Sequence, residues 1–105
     1  MFFSNNSDLR RASFLLYEEK VRKLTEKNFK KEWIENKHLR GTDYVLDHKV
    51  SIKECFEREV PIEIASHICN LQIVSKEYNL RKGSKSTMSA EELIEEVANR
   101  DADLF

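Results

Sequence analysis

Tyr44-Val45-Leu46-Asp47-His48-Lys49-Val50-Ser51-Ile52 and, further on, Asn70-Leu71-Gln72-Ile73-Val74 decide the fold, because each reads as an extended segment among otherwise helical patterns. Val45, Val50 and Ile52 supply branched side chains to the first, and Leu71 to Val74 form a second, shorter strand. Adjacent Asp47 and His48 in a regular strand would face opposite ways, unless the ladder is bulged or the strand ends there. Ser75 is placed to cap a helix carrying Tyr78 and Asn79, and Gly83 to stop it. The order is strand, long loop, strand, helix. Within the loop, Pro61 can open a short helix through Ile62, Ile64 and Ile68, since proline at the first helical position forfeits only a donor without a partner.

Outward from this centre, residues 7–36 read as one long or broken helix. Phe14, Tyr17, Val21, Leu24, Phe29 and Trp33 recur at spacings of three to five, an apolar stripe expected to be core. Arg10, Arg11, Lys20, Arg22, Lys23, Lys27, Lys30 and Lys31 fall between them, to lie along a phosphate backbone or to pair with Glu18, Glu19, Glu26 and Glu32 on a solvated face. On the other side, Ser84 to Ser89 is a polar linker, and Ser89 can cap a last helix holding Leu93, Ile94 and Val97.

The chain has 105 residues, enough for one core. Its net charge of −1 hides an asymmetry. Residues 86–105 hold six acids against Arg100, a net of −5, which leaves 17 basic against 13 acidic residues, a net of +4, in residues 1–85. A basic body suits a polyanion, because each phosphate contact releases condensed counterions. The acidic tail reads as a solvated terminal helix; folding over the basic groove in competition with DNA, or binding a partner through Leu93, Ile94 and Val97, are the alternatives. No apolar run approaches the ~18 residues of a membrane span, and the start is unlike a signal peptide, so a cytoplasmic protein is expected. Cys55 and Cys69 have no paired spacing, which argues against both a disulfide framework and a zinc site with His67; both are expected to be small core residues. His38 reads as an exposed histidine.

Taken together, Asp47-His48, the Asn70-Leu71-Gln72-Ile73-Val74 segment, Asn79 nine residues after Asn70, and Lys82-Gly83-Ser84-Lys85 resemble the HNH nuclease family. The likeness is to its small phage-type members, homing endonucleases and the nuclease domain of RNA-guided enzymes. It covers residues 39–85, under half the chain. It implies an α+β fold in which a ββα-metal (His-Me finger) motif at 39–85 is flanked by an N-terminal helical region, 1–38, and an acidic C-terminal helix or tail, 86–105. It further implies a metal-dependent endonuclease hydrolysing DNA to a 3'-hydroxyl and a 5'-phosphate, nicking or cutting both strands.

By the same resemblance, Asp47 and Asn79 are metal ligands, His48 is the general base, and Asn70 braces the loop against the hairpin. Asn79 replaces the family's usual last His, a frequent variant. One carboxylate and one amide oxygen favour Mg2+ or Mn2+ with retained waters over tetrahedral zinc. A neutral imidazole can take a proton from the attacking water. Lys49, Arg81, Lys82 and Lys85 are expected to contact the nucleic acid by positioning its phosphates. DNA is the implied partner, in a homodimer or a larger phage or host complex, within a bacterial or phage-infected cell. The competing reading is a non-catalytic nucleic-acid-binding or inhibitory protein that keeps the same motif.

Overall fold

A computed structural model describes residues 6–102. Over these the chain is α+β and mostly helical. Helix α1 (Asn6–Lys31) leads into strand β1 (Tyr44–His48), and helices α2 (Ile52–Glu57) and α3 (Ile62–Ala65) lie in the connection to strand β2 (Leu71–Ser75). Helices α4 (Lys76–Lys82) and α5 (Ala90–Ala102) complete the order. β1 and β2 pair antiparallel from Tyr44 opposite Ser75 to His48 opposite Leu71, and α4 packs against both strands.

Helix α1 runs for 26 residues, about 39 Å at 1.5 Å per residue. Asp8 in its first turn and Lys30 and Lys31 in its last complement the helix dipole, while Glu18–Arg22 and Glu19–Lys23 pair along its exposed side. Its inward face keeps Phe14, Tyr17 and Val21 of the expected stripe and departs from it beyond them. Val21 and Thr25 are buried, and the Tyr17 hydroxyl and Asn28 amide donate to the carbonyls of Val60 and Ser66 at 2.7 and 2.9 Å. Trp33 is 73% exposed. The helix ends at Lys31, so residues beyond it leave the helical register, and the spacing Tyr17, Val21, Thr25, Asn28 follows one face better than Leu24, Phe29 and Trp33 do. Arg40 then holds the linker to β1 against α1, donating both guanidinium ends to Glu26 at 2.8 and 2.7 Å beneath its own contact with the Phe29 ring.

Two expectations for the middle of the chain change. β1 stops at His48 rather than running to Ile52, because Ser51 accepts from the Glu54 amide at 3.0 Å and starts α2, a helix inside the expected long loop. The apolar reason is plain: Ile52 and Cys55 are buried in one cluster with Val50 and Val60, and the Phe56 ring makes edge-type contacts with Phe14 and Tyr17, each at 5.4 Å between centroids. Pro61 starts α3 from the cap position rather than as its first residue, and the helix ends at Ala65, so Ile68 falls in a separate 3-10 turn before β2. Ser75 caps α4 by accepting from the Tyr78 amide, Gly83 ends it at φ +57°, and Ser89 caps the last helix by accepting from Glu92.

Helix α5 is not a solvated tail. Ala90, Leu93 and Val97 belong to the same hydrophobic cluster as Val21, Val50, Ile52 and Cys55, and Arg58–Glu91, His67–Asp101 and Arg100–Glu32 tie its acidic and basic side chains to the body. The acids that make its sequence look like a detached appendage occupy its outer face. Among the described residues no helix is long and apolar enough to cross a membrane, and His38 is exposed as expected. Cys55 is buried and Cys69 half-buried, both as free thiols.

Candidate functional site

The end of β1 and the start of the α2 turn, with α4 on one flank and α1 on the other, enclose a cavity of about 370 Å3. Asp47, His48, Asn79 and Lys82 all line it. An Asp–His pair within a strand would be split between its two faces; here the strand finishes at His48, so both members of the pair reach the same recess.

Each member is held by a separate set of contacts. Asp47 sits opposite Gln72 in the ladder, and Gln72 Nε2 donates to Asp47 Oδ2 at 2.9 Å. Lys82 Nζ lies 3.1 Å from that oxygen and 3.3 Å from Oδ1, and it also donates to the His48 carbonyl at 3.2 Å. The pair is largely removed from water, with side-chain exposures of 4% for Lys82 and 11% for Asp47. Lys82 therefore differs from the expected role: its ammonium fixes the carboxylate and the end of β1 and is not a free surface cation. Asn79 projects from α4 and is half-buried in the cavity wall.

His48 is buried, and its Nε2 lies 2.9 Å from Thr25 Oγ1. Burial lowers its pKa to about 4, nearby Arg22 pushes the same way, Asp47 opposes them, and Lys82 adds a further downward push. The imidazole is accordingly neutral near pH 7. Its basicity is weak in the free protein, and an anion entering the cavity would offset the Arg22 and Lys82 charges and raise it.

Asn70 is fully buried behind the cavity and its side chain is saturated. Its Oδ1 accepts from the Val50 amide at 2.7 Å, and its Nδ2 donates to the Val50 and Ala65 carbonyls at 3.1 and 2.8 Å. Its backbone carbonyl accepts from the Lys49 amide. These bonds lock the turn after β1 onto the turn before β2. That is a bracing geometry, with no side-chain atom left to meet a ligand.

The remaining expected residues are dispersed. Lys49 lines a different and larger cavity that shares no residue with the first. Arg81 pairs with Glu77 on the exposed side of α4. Lys85 lines a shallow recess beside Lys53 and Ser51, next to the mouth of the Asp47 cavity. Conversely, Arg22 from α1 and Lys53 from α2 line the site although nothing in their local sequence separates them from other surface cations. Thr25 had a readable signal, since it falls four residues after Val21 on the inward face of α1.

Among the described residues no three His, Cys, Asp or Glu side chains converge as a metal cluster. Beside Glu18, which pairs with Arg22, the cavity holds the Asp47 carboxylate and the Asn79 amide, two hard oxygen donors of the kind that suit a cation keeping most of its own water, as Mg2+ does. No family model, curated protein or solved structure matches the chain.

Proposed function

We propose that the protein is a metal-dependent endonuclease of the HNH kind acting on DNA, with the strands β1 and β2 and helix α4 as its ββα-metal motif. The observation that carries this reading is the convergence of Asp47, His48 and Asn79 on one cavity whose wall also carries Arg22, Lys53 and Lys82. With Lys82 paired to Asp47 and Arg22 to Glu18, the lining carries a net of +1 through Lys53, which favours an anion such as a phosphodiester over a neutral ligand.

Asp47 and Asn79 would hold one Mg2+ or Mn2+, which when bound supplies neutralisation of charge on the scissile phosphate. Lys82 and Gln72 hold the Asp47 carboxylate in one orientation. Arg22 and Lys53 bind phosphate oxygens at its mouth, while His48, neutral at pH 7, accepts the proton of the attacking water. Asn70 acts indirectly, by holding the turn that follows the His48 position.

The test is conversion of supercoiled plasmid to open-circular and linear forms with Mg2+, Mn2+ or EDTA, for the intact protein and for His48→Ala. Metal-dependent cutting that falls by about 10² to 10⁴ in the variant is expected from loss of a general base. One observation favours a second reading, a non-catalytic nucleic-acid-binding or inhibitory module: Lys82 already engages both Asp47 oxygens, where it competes with an incoming metal. Equal inertness of both proteins, with DNA binding retained in both, would give that reading the lead.

A further inference from the structure

The His48 cavity does not end at its own walls. A recess of about 300 Å3 between the start of α1 and α2 shares Phe14 and Lys53 with it, and the recess of about 460 Å3 beside Lys85 shares Ser51, Lys53 and Ser84. Lys53 lines all three, so they meet around it as one continuous depression. Its charges do not cancel. Arg22 is paired with Glu18 and Lys82 with Asp47, whereas among the described residues Arg10, Arg11, Lys53 and Lys85 form no ion pair. Those four face only Glu54 and Glu57, which leaves the lining at a net of +2.

The four cations are exposed, and the Arg10 guanidinium lies over the face of the Phe56 ring, 5.2 Å from its centroid, which holds it at the rim. Arg11 and Arg22 stand eleven residues apart on α1, close to three turns, so both edge the depression from the same side of the helix. Their separation along the axis is about 16 Å at 1.5 Å per residue. A strand of duplex DNA lying along α1 passes about five phosphates over that length, at about 3.4 Å of axis each. The other lysines of α1 are elsewhere: Lys20, Lys27 and Lys30 line a recess that shares no residue with this one.

We infer that the depression is a backbone-binding site for one strand of duplex DNA, in which Arg10, Arg11 and Lys53 hold phosphates on the α1 side of the His48 cavity and Lys85 holds one on the side of the turn after α4. A cation without a carboxylate partner has no ion pair to break on meeting a phosphate, and each such contact releases condensed counterions. Arg10 and Arg11 lie outside residues 39–85, so the site extends beyond the segment that resembles a nuclease. The inference rests on the nuclease reading for the strand's being a substrate, and on charge and shape alone for its being bound.

Binding is measured by fluorescence anisotropy with the full chain, a short labelled duplex and EDTA, over a range of salt concentrations. The slope of log K against log salt is expected to flatten by about 1 for each contacting cation removed: by about 2 in Arg10→Gln/Arg11→Gln and by about 1 in Lys53→Gln or Lys85→Gln. Lys20→Gln/Lys27→Gln/Lys30→Gln removes more charge from the separate recess and should leave the slope near that of the wild type. Wild-type binding that is absent or independent of salt, an unchanged slope in the arginine double variant, or a larger loss in the triple lysine variant overturns the inference. If Arg10→Gln disturbs the packing on Phe56, Arg11→Gln/Lys53→Gln carries the same expectation through two exposed side chains. Binding that depends on these cations, in a protein that cuts no plasmid with Mg2+ or Mn2+, supports the site and overturns the nuclease reading. Undiminished cutting by the same variants at equal salt does the reverse.

Discussion

Two cavities share no lining residue and differ in what lines them. The larger, about 840 Å3, is walled by Trp33, Lys49, Glu32, Glu35, Glu96 and Arg100 among others. Its ion pair, Arg100–Glu32, has half-exposed partners at 3.2 Å, and its largest side chain, Trp33, is mostly in water. The smaller, about 370 Å3, has at its centre two desolvated groups held by side-chain bonds, Asp47 by Gln72 and Lys82 and His48 by Thr25. Space alone marks neither as a site. Polar groups withdrawn from water cost free energy unless they are paired, so a cluster of them, kept in fixed orientations, is the feature that distinguishes the smaller cavity.

The contrast can be broken by substitution. The largest loss of stability is expected for Asn70→Ala, which strands the Val50 amide and the Val50 and Ala65 carbonyls in the interior. At roughly 1 to 3 kcal/mol per buried unsatisfied group, a loss of about 4 kcal/mol should appear in urea unfolding. Lys82→Met comes next, at about 3 kcal/mol, because it leaves the Asp47 carboxylate without its cation; the same denaturation measurement checks it.

Acid provides a third probe. His48 has its folded pKa lowered to about 4, against an ordinary value of about 6.5. Between those values the unfolded chain binds the proton and the folded one does not, so this contribution is complete above pH 6.5 and drains away as pH falls toward 4. His48→Gln should flatten the fall in melting temperature across that window. The smallest effect belongs to the larger cavity: Arg100→Ala should change stability by less than about 1 kcal/mol, as exposed ion pairs do, and should leave plasmid cutting unaltered. A marked loss of cutting would abolish the distinction between the two cavities.

Local signals in the sequence located most elements. Ser75, Gly83 and Ser89 are legible because a cap depends on a few neighbouring residues, and each stands where the chemistry of a helix end requires it. Asp47 and His48 are legible as a pair, and Asn79 as their downstream companion, and all three line one cavity. What escaped depends on tertiary context. The side chain of Lys82 is a surface cation by type and a buried partner of Asp47 by position. Lys49 lines the other cavity, and only the finished packing shows this. Helix α5 looks solvated from its acids alone, because their number says nothing about the face on which Leu93 and Val97 lie.

One consequence concerns modularity. Val21 of α1 and Leu93 of α5 are both completely buried in one cluster with Val50 and Cys55 from between them, and the linker from α1 to β1 passes through exposed residues such as Glu35 and Asn36. The stretch 39–85 is therefore not a portable cassette, since grafted elsewhere it would arrive without Thr25 and without two walls of its core. By the same token, a break in the exposed linker would divide the chain into two complementary pieces, neither holding a finished interior, so that their reunion and assembly of the His48 environment become a single event.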